Sequence, residues 1–584
     1  MDGTEKLRVQ ILNQGPTTEQ CDAIFADDLE FLLRAAPGSG KTWTSCRRFI
    51  WRGANWSYNV GGLALLSFTN AAIREFHEAT IKVGQRGLLS DPNYVGTFDS
   101  FVERFIITPF GHLICGSVKR PKLFIAPRPG DWANTKLQAW TKTKRGTIPV
   151  PAWEIIPFPD NLKVAFRASD KFGGQTLEFR ENHPVEEFFK YGYYTHAQRV
   201  YLACRILFER PHIAECIARR FPEIVVDEAQ DTNAWLLILL NFIRDKGTKI
   251  TLVGDPDQCI YEFSMADATS LPALKKKWNI PEKPLSKSFR CNNRIAESVK
   301  NISGNISFVG CGGIENEYHH PFIVREPSSG FGKSIAEFER LLNLANIPLT
   351  RSAILCRAHQ QLETIRGDVN YISLQGLTKD MAQAAFYRDT HKDYRKAQHI
   401  VENSIRQMID EPNLWEEYDE NPDSNESHRI KLALWKFTKS PEGLPLVSEN
   451  CEEWIEKLKT NLSSLFTDIG ITNLPKLGLK IKRTGIDAHK LTLPLFQPQT
   501  LFPRIRQETI HKVKGESIDG VLVLGSAQFF NAVLKAIESN TNNEERRLAY
   551  VAMTRARHLL LVGLPASHYD KHLSSWVKWG FKTI

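Results

Sequence analysis

An α/β fold of doubly wound parallel sheets is predicted for this 584-residue chain by three observations. Short apolar runs at Phe31–Leu33, Leu63–Phe68, Ile224–Val226 and Ile250–Val253 stop at polar or glycine residues and lead towards helical patterns. That strand–loop–helix rhythm belongs to parallel sheets, whose strand C-termini carry ligand contacts. The first run is followed by Ala35-Ala36-Pro37-Gly38-Ser39-Gly40-Lys41-Thr42, a glycine turn opening a helix from Trp43 to Trp51. The third run delivers Asp227-Glu228 at its end. A chain of this length outgrows one core, so about three or four domains are expected.

The turn at 35–42 has the composition of a phosphate cradle. Glycines 38 and 40 let the backbone N–H groups around Ser39 face inward, and the following helix N-terminus adds positive potential there. Lys41 is expected to reach the β- and γ-phosphates, and the Thr42 hydroxyl to ligate Mg²⁺. The first glycine of the generic pattern is Ala35 here. Asp227 can hold the same Mg²⁺ through water, and Glu228 can orient and deprotonate an attacking water. Upstream, Thr17 caps a short helix carrying Gln20, an amide able to pair with both edges of adenine. ATP and Mg²⁺ are the cofactors this pattern implies.

Further strands and helices follow in order. Leu63–Phe68 ends in Thr69-Asn70 before a helix over Ala71–Val83, and Tyr94–Asp99 leads into a third helix through Phe110. Residues 119–190 break the rhythm with many prolines and tryptophans. Lys119, Arg120, Lys122, Arg128, Lys136, Lys142, Lys144 and Arg145 face one acid, Asp131, with Phe124, Trp132 and Trp140 interleaved. Such a stretch is either a single-strand binding surface or a solvated insertion whose aromatics fill a small core of their own. Helical patterns return at Thr195–Arg220, Met381–Ile409 and Glu452–Phe466, with a polar linker at Glu420–His428.

Composition narrows the class without deciding it. Apolar and charged fractions of 42% and 24% are ordinary, and a net charge of +9 suits a polyanionic partner without demanding one. The 10 cysteines are scattered without zinc or iron–sulfur spacing, so reduced thiols are expected. The N-terminus carries Asp2 and Glu5 in place of a signal-peptide core, and the most apolar run, Trp235–Ile243, is too short to span a bilayer. A cytoplasmic protein with no membrane partner is expected.

Four later segments complete an ordered set: Gly254-Asp255-Pro256-Asp257-Gln258, Leu285-Ser286-Lys287-Ser288-Phe289-Arg290, Glu508–Asp519 and Glu545–Ala556. With the P-loop and Asp227-Glu228 they resemble the superfamily 1 DNA helicases of the UvrD/Rep type. The resemblance implies two RecA-like motor domains, 1A (1–118 and 191–278) and 2A (279–370 and 500–584). It also implies compact, mostly helical insertions, 1B (119–190) and 2B (371–499). Gln258 would sense the γ-phosphate, Phe289 would stack on the adenine, and Arg290 and Arg555 would be arginine fingers. A translocase on this plan would hold single-stranded DNA with Phe68, Thr69, Asn70, Thr97, Phe98, Phe263 and His511, with 3′–5′ polarity. The chain departs from the family at Ser264-Met265, where arginine and glycine are usual, and at Glu516-Ser517-Ile518, where Leu-Glu-Phe is usual.

A narrower resemblance is carried by Gly96–Glu103 with Ile106-Ile107 and Pro109-Phe110. This segment resembles the helicase-like subunits of the bacterial Gabija anti-phage systems, which implies a partner nuclease with an ABC-type ATPase and a Toprim domain. Two functions of different class follow. One is an ATP-driven helicase or translocase; the other is a regulatory NTPase that senses DNA ends and licenses a partner endonuclease. The chain closes soon after Ala556, so a nuclease fused to it is not expected.

Overall fold

The computed structural model describes residues 3–116, 120–124, 137–143, 146–160, 163–177, 183–260, 270–303, 308–311, 316–327, 331–358, 361–362, 365, 376–389, 392–409, 414–415, 418, 421, 424–471 and 505–584. The chain divides into two compact units, one of Met1–Leu362 with Arg504–Ile584 and one of Glu363–Pro503.

The first unit holds two six-stranded parallel sheets. The first sheet has the order β6-β1-β5-β4-β2-β3, with β1 at Leu32–Ala35, β2 at Leu63–Ser67, β3 at Tyr94–Thr97, β4 at Glu223–Val226, β5 at Lys249–Gly254 and β6 at Glu282–Leu285. Its central strands are runs of Leu, Ile and Val because helices cover both faces. Leu63–Ser67 is buried along its whole length. In this order every ligand-facing loop leaves the C-terminal edge of the sheet, where β1, β2, β3, β4 and β5 end side by side.

Strand β6 overturns one boundary. The sequence placed a domain limit between residues 278 and 279, yet Glu282–Leu285 pairs with Leu32–Ala35 in the first sheet. The strand has no apolar run because it lies at the edge, with Pro284 and Glu282 exposed.

The second sheet has the order β9-β8-β10-β11-β7-β12, with β7 at Pro321–Glu326, β8 at Ser352–Cys356, β9 at Arg506–Thr509, β10 at Ile518–Leu524, β11 at Ala556–Pro565 and β12 at Lys582–Thr583. All of its pairings are parallel. The arginine-rich helix Glu544–Met553 is capped by Asn543, and its buried Leu548, Tyr550 and Val551 join the core of this sheet.

The first insertion corrects the expectation of a mostly helical segment. Gln138–Thr143 pairs with Gly146–Pro151, and Ile155–Asp160 with Lys163–Ala168 and Thr176–Leu177, all antiparallel. Prolines 149, 151, 157 and 159 exclude a helix, while Val150, Ile155, Phe166 and Leu177 turn inward. Of the basic–aromatic stretch, Phe124 packs against Trp153 and Phe188, both with ring centroids at 5.2 Å, whereas Trp140 is 62% exposed. One aromatic therefore fills a core and the other faces solvent. Lys119, Arg128, Asp131, Trp132, Lys136, Lys144 and Arg145 lie outside the described residues.

The second unit is helical among its described residues, with helices at Gly376–Asp389, Tyr394–Met408, Asn425–Lys439 and Cys451–Asp468. The third of these starts inside the segment read as a polar linker, because Ser424 caps it at the Ser427 N–H. Trp454, Leu458, Leu434 and Val401 meet in a core of its own.

Candidate nucleotide and nucleic-acid site

The phosphate loop is shaped by its two glycines. Gly38 and Gly40 take left-handed φ values of 71° and 78°, which an L side chain rarely adopts. A Cβ on Gly38 would also meet the Arg290 Cβ at 2.5 Å. Ser39 is buried between them, and the helix Lys41–Ala54 starts at the next residue.

Strand β4 brings the acidic pair to this loop. Lys41 Nζ lies 3.0 Å from Glu228 Oε2, and the Thr42 hydroxyl donates to Asp227 Oδ2 at 3.4 Å. Glu228 is itself left-handed, with φ 53°, a strained conformation for a side chain of this size. Its carboxylate also accepts from the Gln230 amide. Burial alone would raise Glu228, but Lys41 and Lys514 outweigh it and hold the carboxylate well below its ordinary value. Burial raises Asp227, and the neighbouring Glu228 adds to that.

These groups fit a divalent cation. Asp227 Oδ1 is buried without a hydrogen-bond partner, and Thr42 Oγ1 lies beside the same carboxylate. Thr42 and Asp227 would hold a Mg²⁺, which when bound neutralises phosphate charge. Glu228 faces the loop, with its carboxylate on Lys41.

The segment after β5 extends the site towards the second sheet. The Gln258 amide donates to Asp255 Oδ2 at 2.7 Å, and its oxygen accepts from Arg555 Nη2 at 3.3 Å. Arg555 is fully buried, and burial, with Arg290 nearby, pulls its guanidinium down to about 9. Its remaining donors reach the carbonyls of Val551 and Glu516. Arg290 donates to Ser517 Oγ at 2.8 Å and to the Gly515 carbonyl at 3.2 Å. Phe289 is 47% exposed, with Lys287 Nζ 5.6 Å from its ring centroid.

A cleft of about 1110 Å³ joins this chemistry to a polar–aromatic wall. Gly38, Lys41, Thr42, Glu228, Gln258, Arg290 and Arg555 line one part, and Phe68, Thr69, Asn70, Thr97 and Phe98 line another. Phe98 is only 2% exposed and packs on Phe68 at 4.9 Å, so Phe68 is the ring more open to the cleft. Thr69 and Thr97 cap the helices that follow them, through the N–H groups of Ala72 and Ser100.

Other expected contacts are placed differently. The Gln20 amide is engaged on both sides: its oxygen accepts from the Thr17 N–H at 2.9 Å and its nitrogen donates to the Ser39 carbonyl at 3.1 Å. His511 Nε2 lies 3.2 Å from the Ile260 carbonyl and is half-buried. Phe263, with Ser264 and Met265, lies outside the described residues.

Several further residues join the site. Lys514 Nζ contacts both carboxylate oxygens of Asp231 at 2.6 Å, a buried pair between the loop before β10 and the turn after β4. Burial raises Asp231 to about 6, against the opposing pull of Lys514. Gln230 accepts from the Asp255 N–H at 3.1 Å, and His196 and Asn233 line the cleft. Gln230 and Asp231 follow the acidic pair closely, after Ala229, and Lys514 falls within the segment Glu508–Asp519.

The profile of the UvrD/REP helicase N-terminal domain matches residues 16–127 and 183–279, and that of the UvrD-like helicase C-terminal domain matches 391–566. The chain belongs to the UvrD/Rep family of helicases, DNA-dependent ATPases with a two-domain α/β architecture. Among its relatives are the ATP-dependent DNA helicase PcrA of Bacillus subtilis, 23% identical over 94% of this chain and 82% of that protein. The Gabija protein GajB of Bacillus cereus is 21% identical over 95% of this chain and 97% of that protein. DNA helicase II of Escherichia coli is 25% identical over 43% of this chain, and this match spans 35% of the relative. Among the described residues, no helix is long and apolar enough to cross a membrane.

Proposed function

We propose that this protein is an ATP- and Mg²⁺-dependent motor that moves 3′–5′ on single-stranded DNA and serves as the helicase subunit of a Gabija-type anti-phage nuclease complex. The observation that carries the reading is the cleft itself. The phosphate loop, Glu228 and two arginines share one cavity with Phe68, Thr69 and Asn70. A strand seated against that wall, on the loops after β2 and β3, lies in the same cavity as the nucleotide groups on the loops after β1, β4 and β5. Glu228 acts as the base, Lys41 binds the phosphates, and Arg290 and Arg555 stabilise charge that develops in transfer. The alignment with GajB along nearly the whole of both chains supports the defence role; an OLD-type nuclease as partner is part of the proposal.

A second reading, a DNA-sensing NTPase that activates a partner endonuclease without processive unwinding, is favoured by one contact. Arg290 is tied to Ser517 and Gly515, and that tie must open before its guanidinium engages a γ-phosphate.

Steady-state ATP hydrolysis, with and without a single-stranded oligonucleotide, tests the coupling. Strong stimulation by the strand is expected, with the Glu228→Gln protein about 100-fold slower while still binding ATP. Hydrolysis at the wild-type rate by Glu228→Gln would overturn the assignment of the base. Stimulated hydrolysis without strand displacement favours the second reading.

A further inference from the structure

We propose that Ser288 and Glu19 are positioning residues that lock the Arg290 segment onto the phosphate loop, so that one rigid turn sets both. The inference rests on the reading of Arg290 as a finger. The segment leaves β6 and crosses the loop through successive short contacts. Leu285 accepts from the Ala36 N–H at 2.9 Å, and the Phe289 N–H donates to the Gly38 carbonyl at 2.8 Å. Ser288 is fully buried and saturated: its hydroxyl donates to the Pro37 carbonyl at 2.7 Å and accepts from the N–H groups of Arg290 and Cys291, both at 3.2 Å.

The other end is held from the N-terminal helix. Glu19 accepts from the Ser286 N–H and from its hydroxyl, both at 2.7 Å. Gln20, the next residue, holds the Ser39 carbonyl. Two adjacent side chains therefore brace the two turns that must meet a triphosphate. The fit is tight, since the space a Cβ on Gly38 would need is taken by the Arg290 Cβ at 2.5 Å and the Ser288 Oγ at 3.0 Å.

The backbone of Arg290 has little freedom of its own under this arrangement. A carbonyl of the phosphate loop anchors the hydroxyl that anchors the Arg290 N–H. Movement of the loop on nucleotide binding is passed directly to the base of the guanidinium arm, and loss of the hydroxyl frees that arm without removing any phosphate ligand.

The test is a double-mutant cycle of Ser288→Ala and Arg290→Ala, reading oligonucleotide-stimulated kcat and the affinity for a fluorescent ADP analogue. Each single variant is expected to lower kcat by about 10-fold or more with ADP affinity changed by less than about 2-fold, and the double variant to fall no more than about 3-fold below Arg290→Ala. Ser288→Thr, which keeps the hydroxyl, is expected to recover most of the rate. Should Ser288→Ala fail to bind ADP, Glu19→Gln carries the same cycle with a smaller loss. Losses that multiply in the double variant, or wild-type kcat in Ser288→Ala alongside an impaired Arg290→Ala, overturn the positioning role alone. Wild-type kcat in Arg290→Ala overturns it together with the reading of that arginine.

Discussion

Lys41 is surrounded by Glu228, Asp255 and Asp227, and although burial would lower its ammonium, these carboxylates hold it above its ordinary value. The ammonium is thus kept charged by the acids around it. The same balance of burial against partners works in the opposite sense at His568. This imidazole is buried between Asn531 and the Trp576 indole N–H, and burial, with His572 nearby, lowers it to about 4 from 6.5. The group is neutral in the folded chain, so the unfolded chain binds the proton first. Its stability contribution is present above pH 6.5 and is lost as pH falls through about 4. Between pH 7 and pH 5 that linkage costs up to ~2 kcal/mol. His568→Gln is expected to flatten the fall in melting temperature over that range, measured by thermal unfolding at both pH values.

Elements position these residues through their ends. The turn after β4 takes a left-handed residue at Glu228, which turns its carboxylate to Lys41 and leaves Asp227 on Thr42. The helix Glu544–Met553 presents Arg546 and Arg547 and leads to Arg555, and its start depends on one cap. Asn543 Oδ1 accepts from the Arg546 N–H at 2.8 Å while its amide donates to the Ala532 carbonyl at 3.2 Å. Asn543→Ala is expected to destabilise the fold by about 1 kcal/mol in denaturant unfolding. Local signals of this kind were readable in the chain at Thr17 before its helix and at Gly38 and Gly40 around Ser39. The strands of the first insertion were not, because prolines and a polar composition look the same in a loop and in an edge strand.

At the scale of the molecule, separate cores carry separate duties. Leu458 is fully buried in the core of the second unit, a cluster that shares no residue with the cores of the two parallel sheets. Leu458→Ala is expected to cost about 2–5 kcal/mol in the unfolding of that unit, while affinity for an ATP analogue stays at the wild-type value. Differential scanning calorimetry with nucleotide titration on the same sample checks both halves of the statement.

The chain by itself determined the phosphate loop, the acidic pair, the two arginine-bearing segments and the parallel-sheet class. Each of these is written in residues a few positions apart, where backbone geometry and side-chain spacing act within a single turn. Only the tertiary structure decided which distant groups meet. Lys514 reaches Asp231 across 283 positions and Arg555 reaches Gln258 across 297. It also decided that Glu282–Leu285 closes the edge of the first sheet, and that Gln20 spends its amide on Thr17 and Ser39. Those outcomes follow from strand order and from competition among neighbouring donors and acceptors for partners in a dry interior. Neither quantity exists until the chain is folded.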